Sequence, residues 1–148
     1  MFIAHAPSGY ILAISLMKRM VSAPVTARAL VIVGIMGALA PDLDMVYFHL
    51  IDHRQTHHHK YISHWPIVWF GLTMLPAIWF SHARQSKWAA LSLVFCLGGI
   101  LHVVLDSLVG DIWWFAPFLD QPYALFSVPI KFQPWWLNFI LHWSFAVE

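Results

Sequence analysis

The stretch 88-WAALSLVFCLGGILHVVLDSLV-109 carries no charged side chain until Asp106. A helix that spans a membrane needs roughly 20 predominantly apolar residues, and this stretch supplies them. It lacks the alternation of a strand and reads as helix. His102 and Asp106 stand four apart, so a helix puts both on one face. A carboxylate inside such a segment is costly and turns toward a bundle interior or a cavity. One stretch therefore sets two expectations, an all-helical membrane protein and a buried polar site within it.

The rest of the chain agrees with the first expectation. Of 148 residues, 60% are hydrophobic and 10% charged, against about 45–50% and about 25% in soluble domains. Three more apolar segments precede residues 88–109, at about 2–17, 26–50 and 65–80. Pro41 kinks or breaks the second, and Pro66 suits the first turn of the third. The segments at 2–17 and 65–80 are short for a span. The length fits one domain over residues 1–148, built as an integral membrane bundle of about four helices. Behind it, Trp113, Trp114, Trp135, Trp136 and Trp143 suit a membrane interface, and Pro117, Pro122, Pro129 and Pro134 divide that region into short interfacial pieces. Membrane lipids are the expected surroundings. The net charge of +1 and the lack of a basic run argue against nucleic acid. No basic leader with a small-residue cleavage site opens the chain, so the first segment is expected to be retained.

Basic residues orient the bundle. Lys18, Arg19 and Arg28 join the first two segments, and Arg84 and Lys87 join the last two. The positive-inside rule puts these connections in the cytoplasm and makes the chain a multi-pass inner-membrane protein. The connection at 51–64 then lies on the outer, periplasmic face. It holds His53, His57, His58, His59 and His64, five histidines within twelve residues. His5, Asp42, Asp44, His102 and Asp106 fall toward the same face, although they come from other segments. The orientation rests on Lys and Arg alone, so this convergence is an independent sign of a composite site.

His and Asp without thiolate suit a divalent metal, zinc first, with iron or manganese as alternatives. Cys96 is a lone cysteine in an apolar run and reads as core filler. If residues 52–63 are helical, His53, His57 and His64 share a face with Lys60, and His58 and His59 point elsewhere. Asp42 and Asp44 cannot share a helix face, so one is expected as a ligand and the other as a cap or a support behind it. The candidate metal ligands are His5, Asp44, His53, His57, His64, His102 and Asp106. Asp42, Asp44 and Arg54 are the candidate catalytic residues, the carboxylates to orient water and Arg54, with Lys60, to hold a phosphate oxygen. So many ligands leave room for two ions, an arrangement that clamps phosphoryl groups. His49 and His82 read as interfacial, and Gly34, Gly37, Gly98 and Gly99 as helix-packing positions.

The ordered set His5 with Gly9, Pro41-Asp42-Leu43-Asp44, His53-Arg54 with Thr56-His57, and His102-x-x-x-Asp106 with Gly110 resembles the YdjM-like family of bacterial inner-membrane proteins regarded as metal-dependent hydrolases. That family is similar to zinc phospholipase C and related nucleases, all-α enzymes whose metals are held by His and Asp. The resemblance implies phosphoester hydrolysis. It implies His5, one Asp of the 42/44 pair, one or two histidines of 53–64, His102 and Asp106 as ligands. A site open at the outer face, toward lipid headgroups or an envelope precursor, makes a phospholipid or polyprenyl phosphate the expected substrate. The chain departs from the pattern in its His57-His58-His59 run and at Ser63-His64-Trp65-Pro66. The later His and acid of the phospholipases could be met only by His142 and Glu148, six apart.

Two further readings compete. A membrane di-iron oxygenase or desaturase also concentrates histidines, but uses several boxes where this chain has one dense cluster. A non-catalytic metal-binding or transport protein would need ionisable groups across the bundle, and the inner halves of the later segments carry none.

Overall fold

Two hydroxyls start the two helices at the centre of the molecule. Thr26 accepts a hydrogen bond from the Ala29 amide at 3.2 Å, and Ser86 accepts one from Ala89 at 3.3 Å. In this computed structural model, which describes residues 3–134 and 136–146, they open α2 (Ala27–Leu39) and α5 (Lys87–Asp106). α1 (His5–Leu16) precedes them, and α4 (Pro66–His82) starts on Pro66 at its first turn. Pro41 interrupts the second apolar segment as expected. α2 stops at Leu39, a 3-10 turn covers Pro41–Leu43, and α3 (Asp44–Leu50) leaves at 56° to α2. The chain is all-helical, with no strand among the described residues.

α5 is the central helix and packs on α1, α2 and α4. Absent side chains allow the closest approaches. A Cβ on Gly9 would stand 2.6 Å from the Gly34 carbonyl oxygen, which fixes α1 against α2. A Cβ on Gly98 would stand 2.7 Å from the Ala38 nitrogen, so α5 meets α2 backbone to backbone. The inner faces are small: Ala13, Ala38, Ala89 and Ala90 are fully buried. Large side chains such as Ile11, Met36, Met74 and Leu75 stand exposed on the outer faces. Small residues inside and large apolar ones outside is the pattern of helices packed in lipid rather than in water.

Spanning length is narrower than four helices. Among the described residues α5 alone is long and apolar enough to cross a membrane, and α2 with Pro41–Leu50 passes only if their bend is crossed as one span. α1 and α4, at 12 and 17 residues, fall short, as their segments foretold.

The bundle has two unlike ends. At one, Met20, Ala23, Leu30, Phe80 and Ala89 form a core cluster, and Ser22 donates to the Arg84 carbonyl at 3.1 Å. This joins the two basic connections. At the other end lie His5, Asp42, His64, His102 and Asp106. The region after α5 folds back over that end: the amides of Leu125 and Phe126 donate to the carbonyls of Ser107 and Leu108, both at 2.8 Å. It then forms the short α6 (Trp136–Ile140) and a 3-10 turn at Trp143–Ala146. Two of the expected interfacial tryptophans are turned inward instead. Trp113 is buried and donates to Asp120, and Trp114 donates to the Ser107 hydroxyl, each at 2.7 Å. Trp136 and Trp143 are exposed, and Trp135 lies outside the described residues.

Candidate metal centre

His102 projects from the last turn but one of α5 toward α2. Its Nδ1 is 2.7 Å from the Ala38 carbonyl oxygen. A carbonyl only accepts, so Nδ1 carries a proton, and with that single proton on the ring Nε2 presents a lone pair. This bond needs the close α2–α5 contact at Gly98. His64 is positioned from the other side. Gly99 leaves room for the Trp69 ring, whose Nε1 donates to the Ser63 carbonyl at 2.6 Å and fixes the chain just before His64. His64 Nδ1 then donates to Asp44 Oδ2 at 2.8 Å, where the Ser63 hydroxyl also donates. With that single proton on the ring, Nε2 is again the acceptor. The two Nε2 atoms face each other at 3.3 Å, with both rings completely buried. Two acceptors at that distance need a proton or a cation between them.

Two carboxylates complete the group. Asp42 Oδ1 lies 3.5 Å from His64 Nε2 and 3.6 Å from His102 Nε2. Asp106 Oδ2 lies 3.0 Å from His102 Nε2 and 3.8 Å from His64 Nε2. Tetrahedral zinc with ligands at about 2.0–2.1 Å separates its donors by about 3.3–3.4 Å, a value these distances bracket. The donor set therefore fits a small divalent ion. Burial opposes charge on His64, yet hydrogen bonds to Asp42 and Asp44 raise its pKa to about 9, which marks the strong negative potential at this point.

The other residues singled out by sequence fall around this group. His5 Nε2 contacts the far oxygen, Asp106 Oδ1, at 3.1 Å, and its ring stacks on His102 at 3.8 Å. It thus stands behind Asp106, outside the four donors. Asp44 likewise supports His64 from behind, as one of the 42/44 pair was expected to do. His53 and His57 are exposed. His57 sits on the rim with its ring 5.1 Å from that of His59. His59 is buried, with Nε2 3.4 Å from Asp106 Oδ2, and burial drives its pKa to about 2, so the ring is neutral. His58 Nδ1 lies 3.8 Å from Asp44 Oδ1. His58, His59 and His64 form a second group close enough to share an ion. His64 Nδ1 is committed to Asp44, however, so its one lone pair serves a single group at a time.

The expected helix over 52–63 is therefore corrected, and with it the inward set. The Asp52 carboxylate accepts from the Thr56 amide at 2.7 Å and from its hydroxyl at 3.2 Å, and this side-chain cap competes with helix continuation. His53 and Arg54 take left-handed backbone, with φ of 51° and 65°. Two 3-10 turns follow, at His58–Lys60 and Ile62–His64. The resulting register turns His59 and His64 in and leaves His53 out. Gly110 makes room for the inward His59, since a Cβ there would stand 2.7 Å from the His59 ring. Arg54 and His57 line the cavity above the centre, whereas Lys60 is paired with Asp120 at 2.7 Å. His142 bonds Ser144 within the terminal segment, and Glu148 lies outside the described residues.

Residues 1–147 match the family model described as YdjM inner membrane protein, and the chain belongs to that family. The description gives a membrane location and no activity. No curated protein and no solved structure matches the chain.

Proposed function

We propose that this member of the inner-membrane family is a metal-dependent hydrolase of phosphoesters on a lipid or envelope substrate. Asp42, His64, His102 and Asp106 would hold the ion, with His5 and Asp44 behind them. The observation that carries the reading is the pair of Nε2 acceptors at 3.3 Å, each fixed by a proton committed elsewhere and flanked by two carboxylates. Helix-packing polar pairs do not need four converging acceptor atoms; a cation site does.

When bound, the ion would supply Lewis acidity and lower the pKa of water. The chain supplies the rest. Asp42, one-third exposed at its side chain, is the more open of the two carboxylate donors that line the cavity, and there it can orient a water for attack. Neutral His59, next to Asp106, is too weak a base to take a proton but can accept a hydrogen bond that orients that water. Hydrolysis then forms a phosphorus–oxygen bond from water, breaks the one to the ester oxygen, and passes the water's proton to that oxygen. Arg54 on the cavity wall can hold a phosphate oxygen.

The same reading makes the chain a multi-pass bundle with the centre toward the periplasm. Supporting it, the basic connections share one end of the bundle and the centre the other. Purified protein should contain close to one zinc, iron or manganese ion per chain. His102→Ala and Asp106→Ala should lose it, together with chelator-sensitive phosphoesterase activity. Full metal occupancy in both variants would overturn the assignment.

A further inference from the structure

A cavity of about 1070 Å³ opens on the metal centre, large even among ligand pockets, and its walls differ in chemistry. Asp42, Asp106 and His5 lie at its base. One wall is the loop carrying Arg54, Gln55, Thr56 and His57. The remaining lining is mainly apolar, with Met45 and Phe48 from α3 and Phe126, Val128, Ile130 and Phe139 from the region after α5, interspersed with His49, Asp111, Ser127 and Gln133. From these walls we infer that the substrate is an amphiphile, a phosphoester whose phosphate is held by Arg54 on the polar wall and whose apolar chain lies between α3 and the C-terminal region. This rests on the hydrolase reading above and narrows it.

The placement of Arg54 argues for a ligand. Among the described residues it is the one Lys or Arg that lines the cavity, and no carboxylate stands within ion-pair distance of it. Its left-handed backbone, next to that of His53, is strained for residues with a Cβ. The loop holds that conformation through the Arg54 amide, which donates to the Phe48 carbonyl at 3.0 Å, and through the Asp52–Thr56 cap. A structural loop has no need to set a guanidinium without a carboxylate partner on the wall of such a cavity, whereas an anion site does. An ordinary soluble phosphate ester, in turn, has no use for the apolar wall.

That wall is built as firmly as the polar one. Bonds from Leu125 and Phe126 pin it to the end of α5, immediately after Asp106. Asn138, buried, accepts from the amides of Lys131 and Phe132 at 2.7 and 2.8 Å and donates to the Phe132 carbonyl at 2.9 Å. The apolar slot is thereby held in register with the metal ligands.

The test uses the full chain in nanodiscs with zinc, a hexadecyl phosphate carrying a photoactivatable group on its chain, and two unlabelled esters, hexadecyl and butyl phosphate. Labelling should map to residues 45–48 and 124–139. It should be competed by hexadecyl phosphate and far less by hexadecanol. Arg54→Ala should weaken competition about tenfold, the loss expected for a charge-assisted hydrogen bond. Val128→Trp, which fills the slot, should lower the hexadecyl-to-butyl ratio of kcat/KM by about tenfold or more. Labelling spread over the outer faces of α1, α2 and α4, or a ratio unmoved by Val128→Trp, would overturn the inference. If specific labelling persists while neither ester is hydrolysed, the hydrolase reading fails and the amphiphile site stands. If butyl phosphate is hydrolysed while labelling falls elsewhere, the amphiphile site fails and the hydrolase reading stands.

Discussion

Asp44 holds none of the four donor positions, yet it governs one of them. It fixes the His64 tautomer through the 2.8 Å bond to Nδ1, and with Asp42 it raises the His64 pKa to about 9 against the opposing effect of burial. The sign of the consequence is clear. Below pH 9 His64 carries a second proton on Nε2, and an ion must displace it, so affinity falls as pH falls. Zinc affinity of the wild-type protein should therefore rise by about tenfold per pH unit until it levels near pH 9, with one proton released per ion. In Asp44→Asn the plateau should begin at lower pH and its affinity should fall by about 10–100-fold, the usual cost of losing a partner behind a metal ligand. Calorimetry in buffers of different ionisation enthalpy measures both. An affinity independent of pH between 6 and 9 would remove His64 from the ligand set.

At the level of elements, the centre depends on how closely α5 approaches α2. Gly98→Ala would put a Cβ 2.7 Å from the Ala38 backbone nitrogen. The helices must separate, at a cost of about 1–3 kcal/mol for overpacking, and the bond from His102 to the Ala38 carbonyl must lengthen with them. Thermal stability and metal retention should therefore fall together. Gly71→Ala in α4 is the control, because its Cβ meets nothing within 4 Å and alanine favours the helix by about 0.5–1 kcal/mol. A Gly98→Ala protein as stable as Gly71→Ala would show the contact to be looser than described. The same elements show where the sequence could be read. His102 and Asp106 were legible because a helix of known period carries them, and Pro41 because proline breaks a helix wherever it stands. The 53–64 connection was not, because its register comes from the Asp52–Thr56 cap and two left-handed residues rather than from a period. A run of three histidines carries no periodic signal of which one turns inward. Trp113 and Trp114 were misjudged for a related reason: partners at Asp120 and Ser107, each seven residues away, satisfy their indoles inside the protein.

For the whole molecule, the two unlike ends decide how it sits. Five of the eight Lys and Arg residues lie in the two connections gathered at one end, and the metal centre with its cavity lies at the other. The outward faces of α1, α2 and α4 are apolar between them, and the family is one of the inner membrane. In the proposed multi-pass bundle, α1 and α4 are short for a span, so the bilayer around them would thin or the helix ends would sit within its interface. In the orientation proposed above, the positive-inside rule keeps the basic end in the cytoplasm. In a Cys96→Ala background, Gln121→Cys marks the end that carries the centre, and Arg19→Cys marks the basic end. A membrane-impermeant maleimide applied to intact spheroplasts should label Gln121→Cys and should reach Arg19→Cys only after the membrane is opened. The reverse pattern would place the cavity in the cytoplasm and its amphiphile in the inner leaflet, and labelling of both positions before opening would remove the bundle from the membrane.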